Sequence, residues 1–139
     1  MARKDIYHET VKNALDKDDW NITHDPYQVY VGKKRLVMDL GAERLISAEK
    51  GTRKIIVEIK SFVSRSDVKD LQQALGQYIM YHQVLAEQNI DRELYLAIPQ
   101  RTYNTIFQDE IGQILIKNEL LRLLVFDETE ETIVQWIPN

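Results

Sequence analysis

Residues 54–60, with the sequence KIIVEIK, decide the fold of this chain because they place two charges inside an apolar strand. Successive side chains of a β-strand point to opposite faces, so Glu58 and Lys60 share one face while the other face is entirely apolar. Charged groups in such a strand are costly unless each has a partner, and this kind of conflict is typical of functional sites. The alternative is an ordinary Glu–Lys pair on the exposed side of a one-sided sheet.

A second acid lies in another apolar stretch, residues 36–40 (LVMDL), which we interpret as a strand. Antiparallel pairing of this strand with the Glu58 strand would bring Asp39 and Glu58 together. Two carboxylates at one point can hold Mg²⁺ or Mn²⁺, hard cations that take oxygen ligands, waters and phosphate. The ion would activate water, and Lys60 would stabilise charge on the attacked phosphoryl group. Asp39, Glu58 and Lys60 therefore predict a metal-dependent phosphodiester site.

The remaining patterns predict an α/β fold in which helices pack against a sheet. Helices are expected at residues 5–17, 66–89 and 103–117. Strands are expected at residues 20–24, 27–31, 35–40, 53–62, 94–98, 121–126 and 132–136. Residues 41–50 are ambiguous, because their centre favours helix whereas Gly41 and Gly51 bracket them as a connection.

The long helix is expected to begin after Ser66, a residue that favours the N-cap position. We expect Gln77 to face the Glu58/Lys60 cluster. The apolar spacing along the helix predicts that Leu71, Leu75 and Ile79 lie against the sheet.

Length and composition predict one domain over residues 1–139, because the chain has only 5 Gly and 3 Pro and no repeat or linker-like segment. Without cysteine, a disulfide framework and a Cys-based zinc site are excluded. The first ten residues are too polar for a signal peptide, and no apolar run is long enough to span a bilayer. A cytoplasmic protein without a membrane partner is therefore expected.

The formal net charge is −4, which argues against a protein that coats DNA through many phosphate contacts. A nuclease is less constrained, since its carboxylates carry the metal and local basic turns can hold the strand. The cations do cluster, at Lys33-Lys34-Arg35 and at Arg53-Lys54, both near expected strand ends. Such turns either contact nucleic acid or are simply solvated loops.

The pattern of Asp39 followed by Glu58-Ile59-Lys60 resembles the motif of the PD-(D/E)XK nuclease superfamily, with Met38 at the nominal Pro position. On the following helix, Gln77 and Tyr81 resemble the Gln-x-x-x-Tyr element of RecB-like nucleases. That pair could equally be a polar helix flank with a partly buried tyrosine. Glu9 matches the place of an auxiliary acid in Holliday-junction-resolvase-like members, and a solvated helix residue is the equal alternative.

Over the whole chain, three stretches resemble the XisH family, proteins described as controlling factors for excision of the fdxN element. They are residues 2–9 (ARKDIYHE), 39–44 (DLGAER) and 57–62 (VEIKSF). The resemblance implies a restriction-endonuclease-like α/β fold, with a mixed central sheet flanked by helices. It also implies catalytic Asp39, Glu58, Lys60, Gln77 and Glu9, and a metal site formed by Asp39, Glu58 and the Ile59 carbonyl.

The function implied by this resemblance is a Mg²⁺-dependent endonuclease-like protein that controls site-specific excision of a DNA element. DNA, an XisI-like companion protein and a site-specific recombinase are the implied partners, and a homo-oligomer is left open. The alternative is a non-catalytic accessory factor that keeps the nuclease fold to bind DNA or protein. The intact Asp, Glu and Lys favour catalysis, whereas the acidic net charge favours the accessory factor.

Overall fold

The computed structural model describes residues 4–139, so Ala2 and Arg3 of the N-terminal stretch lie outside the described residues. The described helices are His8–Lys17 (α1), Asp67–Glu87 (α2), Gln100–Tyr103 (α3) and Glu110–Lys117 (α4). The described strands are Asn21–His24 (β1), Tyr27–Val31 (β2), Lys34–Met38 (β3), Leu40–Ser47 (β4), Gly51–Ile59 (β5), Glu93–Pro99 (β6), Leu123–Asp127 (β7) and Thr132–Ile137 (β8). No helix within residues 4–139 is long and apolar enough to cross a bilayer.

Six of these strands form a mixed sheet in the order β1-β4-β5-β6-β7-β8. The β5–β6 and β6–β7 pairs are parallel and the other pairs of this sheet are antiparallel. Strands β2 and β3 form a separate antiparallel hairpin. Helix α1 covers one face of the main sheet and α2 covers the other. The predicted mixed α/β architecture, with helices flanking the sheet, is therefore confirmed.

The alternation of side chains along β5 is confirmed and divides the interior into two cores. Ile55, Val57 and Ile59 pack on the α1 side of the sheet. Ile56 packs on the α2 side, where Leu71 and Leu96 also lie. Glu58, two residues after Ile56, therefore faces α2. The strand is buried on both sides, which is why its single acid is removed from water.

The interpretation of residues 35–40 as one strand was wrong at its end. Strand β3 stops at Met38, the backbone bends at Asp39, and β4 begins at Leu40. The break arises because β3 pairs with β2 in the hairpin, whereas β4 pairs with β5 in the main sheet. The chain changes sheets at Asp39.

The ambiguous segment 41–50 is mostly strand, although its composition favours helix. Ala42 is fully buried in the sheet, and Glu43 lies opposite Lys54 on β5. Sheet pairing and burial outweigh the small helix preference of such residues.

The predicted helix at residues 103–117 was wrong over its first half: α3 ends at Tyr103, residues 104–109 form turns, and only α4 is helical in the rest of the range. Gly112 explains the arrangement, since a Cβ atom added there would lie 2.3 Å from the Ile106 carbonyl oxygen. The backbone of α4 folds back against that of Ile106 and Phe107, and this approach requires a residue without a side chain.

Helix α2 begins as predicted, because the Ser66 side chain accepts the Lys69 N–H at 3.2 Å. Its inner face was predicted only in part: Leu71 is buried, but Leu75 is half-buried and Ile79 is 42% exposed. Two tyrosines of α2, Tyr78 and Tyr81, are buried on the inner face instead. The Tyr78 hydroxyl donates to the Leu94 carbonyl and accepts the Arg122 N–H, so the ring can be buried with its polar atom satisfied.

This inner face predicts a contrast between two truncations on α2. Leu71→Ala should lower the free energy of unfolding by about 2–5 kcal/mol, because it empties a buried leucine site. Ile79→Ala, the matched control on the exposed row, should change it by less than about 1 kcal/mol. Urea denaturation measures both values, and equal losses would show that the assigned inner face is wrong.

Candidate functional site

The register of β4 and β5 places the two candidate acids side by side. Leu40 lies opposite Val57, so Asp39, one residue before β4, comes opposite Glu58. The Asp39 N–H donates to Glu58 Oε1 at 3.2 Å, and the Ile59 N–H donates to Asp39 Oδ2 at 2.7 Å. The structure thus brings Asp39 and Glu58 together, through one hydrogen bond from Asp39 to Glu58 and a second from the next residue, Ile59, back to Asp39.

Glu58 is an acid in an unfavourable environment, with 7% of its surface exposed. Burial raises the pKa of its carboxyl group to about 10, and the neighbouring Asp39 side chain adds to the increase. The Asp39 N–H and the Tyr81 hydroxyl oppose the increase but do not cancel it. At neutral pH Glu58 therefore keeps its proton, because two adjacent carboxylates cannot both ionise cheaply in a buried site.

Tyr81 on α2 closes the site from the helix side. Its hydroxyl donates to the Val37 carbonyl at 3.4 Å, next to the bend at Asp39. Burial raises the pKa of the Tyr81 hydroxyl to about 12, and the negative charges of Glu58 and Asp39 contribute. Tyr81 therefore stays protonated and serves as a hydrogen-bond donor beside the two acids.

Lys60 follows Glu58 on the same face of β5, and its side chain is held by the first two turns of α2. Its Nζ donates to Gln73 Oε1 at 2.7 Å and lies 4.0 Å from Asp70 Oδ1. The other Asp70 oxygen accepts the Ser64 N–H at 3.2 Å. About a quarter of the Lys60 side chain is exposed, so the ammonium group can be reached from solvent.

Gln77 is exposed and belongs to the helix row that contains Gln73 and Tyr81, since these three positions are four residues apart. It therefore lies between the residue that binds Lys60 and the tyrosine beside Glu58. Within residues 4–139 its side chain makes no hydrogen bond to Asp39, Glu58 or Lys60. Its predicted role stays a prediction.

Glu9 is exposed in the first turn of α1 and lies 3.9 Å from Lys12. Among residues 4–139, no hydrogen bond or salt bridge joins Glu9 to Asp39 or Glu58. Its predicted auxiliary role also stays a prediction.

Sequence reasoning missed the residues that fix the chain just after Lys60. Asp5 Oδ2 accepts the Ser61 N–H at 3.0 Å, and Arg101 donates to the carbonyls of Ser61 at 2.6 Å and Phe62 at 3.2 Å. Phe62 has a φ of 55°, a left-handed conformation that an aromatic residue adopts only when its surroundings impose it. Nothing in the local sequence marks Arg101, whereas Gln73 could have been found one helical turn before Gln77.

Comparison with a family model described as the XisH protein family gives a match over residues 1–134. The chain belongs to the XisH family. Two solved structures support the assignment, each with a TM-score well above the level of chance similarity. A comparison with curated proteins gave no match.

One of the two structures is an XisH family protein from Nostoc punctiforme PCC 73102. It is 40% identical, has a TM-score of 0.84, and the match covers 95% of this chain and 98% of that one. The other is a fdxN element excision controlling factor protein from Anabaena variabilis. It is 44% identical, has a TM-score of 0.83, and the match covers 96% of this chain and 99% of that one.

The buried proton on Glu58 predicts that this XisH-family protein loses stability as pH rises. Its folded-state pKa is about 10 against an ordinary 4.5, so between these values the unfolded chain is ionised at this position while the folded chain keeps the proton. The stabilisation that Glu58 contributes by keeping its proton is fully present below about pH 4.5, and it is lost as the pH rises towards 10. Glu58→Gln should therefore exceed wild type in stability by an amount that grows by at most about 1.4 kcal/mol per pH unit.

Urea denaturation of both proteins from about pH 6 to 9 measures this difference, which lies inside the window set by the two pKa values. Glu49→Gln, in the exposed turn between β4 and β5, is the matched control and should track wild type throughout. A difference between Glu58→Gln and wild type that does not change with pH would contradict the raised pKa.

Proposed function

We propose that this protein is a metal-dependent deoxyribonuclease of the PD-(D/E)XK type, which acts in the excision of a DNA element. The observation that supports this proposal best is the contact between Asp39 and Glu58, with Lys60 on the same strand face. A fold selected only for stability has no reason to hold the half-buried Asp39 against the buried Glu58, because repulsion and desolvation destabilise such a pair.

The topology around the site supports the superfamily assignment. Glu58 and Lys60 lie at the end of β5, α2 crosses back over the sheet, and β6 returns parallel to β5. The Lys60 N–H donates to the Ala97 carbonyl on β6, whereas the Ile59 N–H points the opposite way, to Asp39. Since the N–H and C=O of a strand residue point to the same edge, the Ile59 carbonyl is expected to face the Asp39 side as well.

The donor set fits a hard divalent cation. Glu58 Oε1 accepts the Asp39 N–H and Asp39 Oδ2 accepts the Ile59 N–H, which leaves the second oxygen of each carboxyl group outside these two bonds. Within residues 4–139 no group of three or more His, Asp or Glu side chains could hold a metal ion. Two carboxylates and a backbone carbonyl, completed by water and phosphate, are nevertheless the kind of site that Mg²⁺ uses in phosphoryl-transfer proteins.

In phosphodiester hydrolysis, the residues of this site would have separate roles. Asp39, Glu58 and the Ile59 carbonyl would bind Mg²⁺ or Mn²⁺, which supplies Lewis acidity and lowers the pKa of water. Lys60 would donate hydrogen bonds to the attacked phosphate, where negative charge grows in the transition state. Gln73 holds the Lys60 ammonium group on the α2 side, so that its direction is set before substrate arrives.

The excision role rests on the family and on the similar protein from Anabaena variabilis, which is described as a fdxN element excision controlling factor. We propose that DNA is the substrate and that a site-specific recombinase and an XisI-like companion protein are partners. The alternative is a non-catalytic accessory factor with the same fold, which is favoured by the net charge of −4 and by the controlling role of the Anabaena variabilis protein.

Substitutions at the site should separate metal binding from catalysis. Lys60→Ala should lower the rate of DNA cleavage on the order of 10²–10³-fold while metal binding is retained, because the lysine is not a ligand. Asp39→Ala should weaken Mn²⁺ binding itself. Nicking of supercoiled, branched and single-stranded DNA with Mg²⁺ or Mn²⁺ measures the first effect, and calorimetric Mn²⁺ titration measures the second.

Lys69→Ala provides the matched control, because this lysine is exposed in the first turn of α2 and does not contact either acid. It should leave Mn²⁺ binding unchanged. If wild type does not cleave any of the DNA forms, and if excision in cells survives Lys60→Ala, Asp39→Ala and Glu58→Ala at normal protein levels, the accessory-factor alternative replaces the nuclease.

Metal affinity should also depend on pH, since a cation can bind Glu58 only by displacing its proton. With a pKa of about 10, this group releases close to one proton per metal bound near neutrality. The Mn²⁺ affinity of wild type should therefore rise by up to tenfold per pH unit. Titrations in buffers of different ionisation enthalpy count the protons released, and a count near zero would exclude Glu58 as a ligand.

A further inference from the structure

The β2–β3 hairpin carries a concentrated positive charge on an acidic protein. Residues 27–38 contain Lys33, Lys34 and Arg35 but neither Asp nor Glu, whereas the whole chain has 22 acidic residues. All three cations are exposed, and within residues 4–139 none of them forms a salt bridge. Six other cations of residues 4–139, among them Arg44, Arg53 and Arg122, do have an acid within 4 Å.

The hairpin is fixed to the body of the protein, so its charges have a defined position. Val29 and Met38 are buried in the core on the α2 side of the main sheet. Near the other end, Gln88 at the C-terminus of α2 donates to the Tyr30 carbonyl at 2.7 Å. Because both ends are attached, the cations are held on a rigid ribbon.

The outward face of the ribbon is suited to a polyanion. Tyr30 and Arg35 lie opposite each other on the two strands, and Tyr30 is 60% exposed. The turn at Gly32, with a φ of 58°, places Lys33 and Lys34 at the tip. Arg35 shares the face of Tyr30, whereas Lys34, the next residue of β3, points to the opposite face at the exposed tip. A tyrosine ring can lie against a sugar or base while the cations around the tip contact phosphates.

The ribbon leads directly to the candidate active site, because Asp39 is the residue that follows β3. Strands rise about 3.3 Å per residue, so Lys33 to Arg35 stand roughly 13–20 Å from Asp39. Consecutive base pairs of DNA are about 3.4 Å apart, so this distance corresponds to roughly four to six base pairs. A duplex with one phosphate at Asp39 and Glu58 would reach the basic tip within half a helical turn.

We infer that the β2–β3 hairpin is a contact surface for duplex DNA that holds the strand beside the Asp39–Glu58 site through Lys33, Lys34 and Arg35. The inference rests on the proposed function, since it gives that same site its substrate-positioning surface. The hairpin binds phosphates and so does not itself select a base sequence.

The test is binding of a fluorescently labelled DNA duplex by the full-length protein in EDTA, where cleavage cannot occur. The triple variant Lys33→Gln/Lys34→Gln/Arg35→Gln should bind at least tenfold more weakly than wild type. The magnitude of its slope of log affinity against log salt should fall by about 2–3, since each phosphate contact contributes about 0.9.

A matched control removes the same charge elsewhere. Lys4→Gln/Lys50→Gln/Lys117→Gln alters three exposed lysines outside both basic clusters and should keep the wild-type salt slope. A charge-conserving variant, Lys33→Arg/Lys34→Arg/Arg35→Lys, should keep wild-type affinity. Equal losses in the two Gln triples would overturn the inference, because net charge and not the hairpin would then explain binding.

Two further results separate this inference from the nuclease proposal. The hairpin Gln triple should fold with wild-type thermal stability and bind Mn²⁺ normally, because it leaves Asp39 and Glu58 intact. If the protein binds DNA through the hairpin but never cleaves it, the nuclease proposal is wrong and the hairpin inference is retained. Unchanged duplex binding by the hairpin triple, as expected if the hairpin contacts a protein instead, would overturn the inference whether or not the protein cleaves.

Discussion

The reciprocal hydrogen bonds between Asp39 and the end of β5 connect the two sheets of this protein. Asp39 donates its N–H to Glu58 and accepts the N–H of Ile59, so the bend between the hairpin and the main sheet is attached to the central strand. The hairpin, the start of β4 and the end of β5 all depend on this junction. The same contact brings two carboxyl groups together in a buried place, so a structural connection and an electrostatic cost coincide.

The electrostatic cost of this contact is seen in the raised pKa values of Glu58 and Tyr81. Burial raises the pKa of Glu58 to about 10, and the two acids together help to raise the pKa of Tyr81 to about 12. A proton on Glu58 relieves the repulsion in the metal-free protein, and a divalent cation could take its place with more charge. A buried pair of this kind is expected where a binding site has been kept at the expense of stability.

The charge of the chain is arranged locally, and its total is a poor guide to binding. The net charge of −4 suggests a protein that repels DNA, yet the hairpin before Asp39 carries three cations and no acid. Near the other side of the acids, Lys60 is held by Gln73 and Asp70. Asp39 and Glu58 are therefore bordered by positive charge on the chain segments before and after them.

The sequence by itself determined the strand over residues 54–59, although not its end at Ile59, the side of that strand on which Glu58 lies, and the start of the long helix at Ser66. These features depend on side-chain alternation and capping, which act over a few neighbouring residues. The sequence also indicated that Asp39 would be the acid beside Glu58. The reason given was that residues 36–40 would pair with the Glu58 strand, whereas the strand that pairs with it is β4.

Only the tertiary structure decided the rest, because each remaining choice depends on what packs against a segment. The chain breaks at Asp39 because β2 and β5 compete for successive residues as strand partners. Tyr78 is buried on the inner face of α2, where Leu75 and Ile79 were expected, because its hydroxyl finds partners on β6 and at Arg122. Gln73 reaches Lys60, and Arg101 clamps Ser61, through contacts between residues far apart in the chain, which no local pattern encodes.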